Sequence, residues 1–150
     1  MKLAEALLLR SEYQKKIENL QSRILSNIKV QDNDKPLENP HSLIEEVFDL
    51  NEKLCILIKQ INTSNNKAKL TTGQTLSEAI IERDMFMKKR NILASVAAKA
   101  LEKDYRLTHT EVKINVVVSV EEIQKQIDSL SRQFRELDAQ IQASNWTTEL

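Results

Sequence analysis

The chain has 150 residues, enough for one domain with a real core, and 41% of them are hydrophobic, too many for a disordered chain. Lys plus Arg and Asp plus Glu number 22 each, so the net charge is zero. Nucleic-acid binding, which runs on displaced counterions, is therefore disfavoured. One glycine and two prolines predict few tight turns, hence few and long elements; a single glycine also cannot build the GxGxxG or GxxxxGK[ST] phosphate loops.

Apolar residues recur three and four apart along most of the chain, which predicts helices. In the first segment Leu3, Ala6, Arg10, Tyr13, Ile17, Leu20, Ile24 and Asn27 fall on one heptad seam, widened by Leu7, Leu8, Ile28 and Val30. "QDNDKPLENP" holds both prolines and reads as a surface loop. A second helix follows on Leu43, Val47, Leu50, Leu54, Leu57 and Ile61, with Ile44, Phe48 and Ile58 broadening its face enough for two neighbours. His41 is expected at its N-cap, and "NTSNNKAKLTTGQ" ends it, with Gly73 at the turn. Thr75 and Glu78 form a capping box that opens a third helix, carried by Ala79, Phe86, Leu93, Ala97 and Ala100. A second box, Ser119 with Glu122, opens a fourth on Ile123, Ile127, Leu130, Phe134, Leu137 and Ile141.

Between the third and fourth helices "EVKINVVV" is β-branched, with Val112, Ile114, Val116 and Val118 on one side. A lone strand leaves its backbone groups unpaired. Tyr105 to Thr108 could pair with it as a hairpin, or the same strand of a second subunit could do so across a two-fold axis. A third possibility is an extended segment packed along its own helices. The fold class expected is all-α: an antiparallel bundle of four long helices with one short accessory β segment, residues 1–150 forming a single domain.

Polar residues collect at one pole of such a bundle. An up-down-up-down order gathers Glu5, Arg10, Asn62, Asn65, Thr75, Glu78, Arg83, Asp84, Asn145 and Trp146 there. Arg10, Arg83 and Arg90 stand on apolar seams and need carboxylates, for which Glu5, Glu78, Glu82 and Asp84 are available. Two readings compete. The residues fix helix register as a hydrogen-bonded network, or they form a pocket for a small anionic ligand. Trp146, the only tryptophan, is expected to fold onto this pole and to be largely buried.

"MKLAEALLLR", "INTSN", "TLSEAIIERD", "EVKINVVVSV" and "FRELDAQIQASNW" together resemble the septicolysin-like family of small, uncharacterised bacterial proteins, over essentially the whole chain. The resemblance assigns no catalytic residue, and its name implies a cytolysin. Physical support for that name is missing: Cys55 lies in "KLCILIK", read as a buried helix face, and no run of 18 apolar residues could span a membrane.

Other chemistry finds no motif. His41 and His109 have no partner at metal-ligand spacing, and Glu-x-x-His pairs and nucleophile-elbow motifs are absent, so neither a metal nor a cofactor is expected. Lys88, Lys89, Arg90, Lys99, Lys103 and Arg106 make at most a weak basic patch. One cysteine and no convincing signal peptide suggest the cytoplasm. The expectation is a non-enzymatic, homo-oligomeric interaction or scaffold protein. The alternative is an anionic-ligand-binding protein or enzyme at the polar pole, and the third is a membrane-active lysin.

Overall fold

The computed structural model of the chain describes residues 1–103 and 112–150. It is all-α, with four long helices: α1 (Leu3–Ser26), α2 (Pro40–Lys67), α3 (Leu76–Leu101) and α4 (Val120–Thr147). At 1.5 Å per residue they run about 36–42 Å. The expected hairpin at Tyr105–Thr108, together with Arg106, His109 and Glu111, lies outside the described residues.

The chain resolves into two compact units: Met1–Ser77 with Gln142–Leu150, and Glu78–Ile141. In the first, α1 and α2 form an antiparallel pair. Leu3, Ala6 and Leu20 of α1 and Leu43, Leu54, Leu57 and Ile61 of α2 are buried, as their heptad spacing predicts. Of the residues expected to widen these seams, Leu7, Ile44 and Ile58 are half-buried. Leu8, Ile28, Val30 and Phe48 are exposed.

Three polar devices close this unit. Asn27, buried at the end of α1, donates from Nδ2 to the Arg23 carbonyl at 2.8 Å and accepts the Glu38 N–H at 3.0 Å. Arg23 also grips the Glu38 carboxylate with Nε at 3.0 Å and with Nη2, pinning the proline loop to α1. At α2 the N-cap is Asn39, whose Oδ1 accepts the His41 N–H at 3.0 Å. This corrects the expectation for His41: Pro40 takes the first helical position, where its missing N–H costs nothing.

α2 ends in the Asn-rich segment, as expected. The Asn/Ser/Thr run stays helical to Lys67, with Thr63 Oγ1 bonded back to the Lys59 carbonyl at 2.9 Å. A tight connector then turns on Gly73 at φ 90°, tied by Leu70 N–H to Gln74 O at 2.9 Å and Leu76 N–H to Ala68 O at 2.8 Å. The segment after α4 joins the start of α1 through Leu3 N–H to Thr148 O at 2.9 Å and an ion pair between Lys2 and Glu149.

In the second unit α3 and α4 pair antiparallel. Arg83 reaches Asp138 at 2.8 Å and Arg90 reaches Ser131 at 3.2 Å, two contacts of one antiparallel register. Ala79, Ala97, Ile127, Leu137 and Ile141 are buried, on the seams expected. Ser119 caps α4, its Oγ accepting the Glu122 N–H at 3.3 Å. The accessory β segment is not observed: among the described residues Val112–Val118 forms no strand. The bridges found lie elsewhere, Lys2 with Glu149 and Lys69 with Thr75.

Candidate functional site

The ten polar-pole residues divide between the two units. Glu5, Arg10, Asn62, Asn65, Thr75, Asn145 and Trp146 belong to the first, and Glu78, Arg83 and Asp84 to the second.

Within the first unit several have structural work. Glu5 Oε2 accepts the Lys2 N–H at 2.7 Å, capping α1 from its third position. Thr75 flanks the start of α3, and Asn145 is buried. Asn62 points to solvent, since Ile61 takes the inward position beside it. Arg10 and Asn65 are half-buried, and Arg10 Nε and Asn65 Oδ1 are fully enclosed without a hydrogen-bond partner among the described residues. Trp146 corrects the expectation of a buried lid: it is 57% exposed, because Asn145 holds the inward position at the end of α4. Cys55 is likewise exposed rather than buried, one residue round the helix from the Leu54 seam.

In the second unit Arg83 is neutralised within its own helix pair. Its guanidinium bonds Asp84 Oδ1 at 2.8 and 3.0 Å and Asp138 Oδ1 at 2.8 Å, and lies 5.9 Å over the Phe134 ring. Burial pushes the guanidinium down, but the bonds to Asp84 and Asp138 outweigh it and hold its pKa above the ordinary value. Asp138 was not among the expected partners. Its signal was the antiparallel order of α3 and α4, which brings the end of one helix beside the start of the other. Arg90 is served by Ser131 Oγ and Asn91 Oδ1, both at 3.2 Å.

Another surface, in the second unit, is built differently. A groove of about 490 Å³ is lined by Ser95, Val96, Lys99 and Ala100 of α3 and by residues 114–118. Its extended wall is apolar yet open: Val117 is 94% exposed, with Ile114, Val116 and Val118 exposed as well, and Val112, just before the wall, is 88% exposed. Among the described residues no backbone hydrogen bond joins 112–118 to another segment. Five β-branched side chains in a short stretch with no backbone partner among the described residues are suited to pairing with another chain. A second groove of about 340 Å³ in the first unit is charged and lined from both helices, including Lys15, Lys16, Arg23 and Glu46. Its cations are largely answered there, Lys16 by Glu12 at 2.8 Å and Arg23 by Glu38.

Among the described residues no cluster of three or more His, Cys, Asp or Glu side chains is placed to hold a metal ion. No helix among the described residues is long and apolar enough to cross a membrane.

The fold and these surfaces define an all-α protein of helical pairs carrying an open apolar face. The chain belongs to DUF6847, a family of unknown function, whose model matches residues 10–150. It is similar to a functionally unknown conserved protein from Corynebacterium diphtheriae, seen in a crystal structure. The TM-score is 0.92 at 35% sequence identity, with 100% of this chain and 98% of that chain covered. A search among curated proteins finds no match.

Proposed function

We propose that the protein works by association: a non-enzymatic, self-associating interaction or scaffold protein of the cytoplasm. The observation that carries this reading is the run Val112–Val118, with exposed apolar side chains and no backbone partner among the described residues. Unpaired edges and contiguous apolar surface are what monomeric proteins avoid, so such a stretch is suited to a partner. The cytoplasmic placement rests on a lone cysteine, Cys55, which has no partner for a disulfide within the chain.

Hydrogen exchange at rising protein concentration tests this reading. Backbone amides of 113–118 gain protection as copies meet, and Val117→Asp abolishes that gain while leaving the helices protected. Exchange at 113–118 that ignores concentration contradicts the reading.

A second reading, anionic-ligand binding at the polar pole, draws on Arg10 Nε and Asn65 Oδ1 in the first unit, enclosed without partners among the described residues. Arg83 weighs against it, since two carboxylates already hold its guanidinium. Raised melting temperature in millimolar phosphate, lost in Arg10→Ala, would favour it. The septicolysin-like resemblance supports a third reading, membrane lysis, for which dye release from lipid vesicles is the deciding assay.

A further inference from the structure

We draw no further inference here: the strongest candidate, the exposed face of α3 formed by Ile81, Met85 and Ile92 together with Lys88, carries nothing, because nothing in the structure shows what covers it.

Discussion

At the scale of single residues, neighbours on one helix take opposite roles. Asn145 is buried and Trp146 beside it is 57% exposed; Leu54 is buried and Cys55 is open. Residue type could not show this, because Trp and Cys are both usually inward and only the rotation of the helix decides which position turns in. Trp146→Ala is therefore expected to change stability by less than about 1 kcal/mol, apart from association. The fluorescence of Trp146 should be that of a solvated indole. Asn27 is the opposite case. Replacing it with alanine strips partners from the Glu38 N–H and the Arg23 carbonyl and should cost about 1–3 kcal/mol in a urea titration.

Glu38 gives a pH dependence at the same scale. Its hydrogen bond with Arg23, assisted by the guanidinium charge, holds its carboxyl below the ordinary value of 4.5 despite some loss of solvent. The unfolded chain then binds a proton that the folded chain refuses, so stability rises with pH through this window. The contribution is complete above pH 4.5 and is lost as pH falls through the folded value. Melting temperature followed downward through that range should decline less steeply in Glu38→Gln than in the wild type.

At the scale of elements, the helices were legible in the sequence because spacing of three and four leaves a fixed stripe, and each stripe found its buried seam. Their edges were less legible. The Asn-rich segment marks the end of α2 without fixing its last residue, which is Lys67; Thr63 within it bonds back to the preceding turn. Second faces were legible only in part: a heptad shows that Phe48 is near a seam, not whether anything covers it, and Phe48 is exposed where Ile44 and Ile58 are half-buried. This contrast is measurable. Ile61→Ala, at a buried position, should cost about 2–5 kcal/mol, while Phe48→Ala should cost under about 1 kcal/mol. Between α3 and α4 the sequence flagged Arg83 as needing carboxylates but could not supply Asp138, which depends on which helices meet. A double-mutant cycle on Arg83 and Asp138, both partly solvated, is expected to show a coupling of about 1 kcal/mol.

For the whole molecule, the polar pole and the apolar surface carry different weight. Glu5 caps a helix, Arg83 is held by two carboxylates, and Asn62 and Trp146 face outward. Arg10 Nε and Asn65 Oδ1 are enclosed without a hydrogen-bond partner among the described residues. The β-branched run from Val112 to Val118 was conspicuous in the sequence because it broke the helical period. Its lack of a partner among the described residues required the structure. The proposed self-association rests on this open apolar run. The measurement that tests this most directly is the mass in solution by light scattering over a wide range of protein concentration. A species of twice 17.3 kDa that persists on dilution is the predicted result. A mass of 17.3 kDa at every concentration would contradict it.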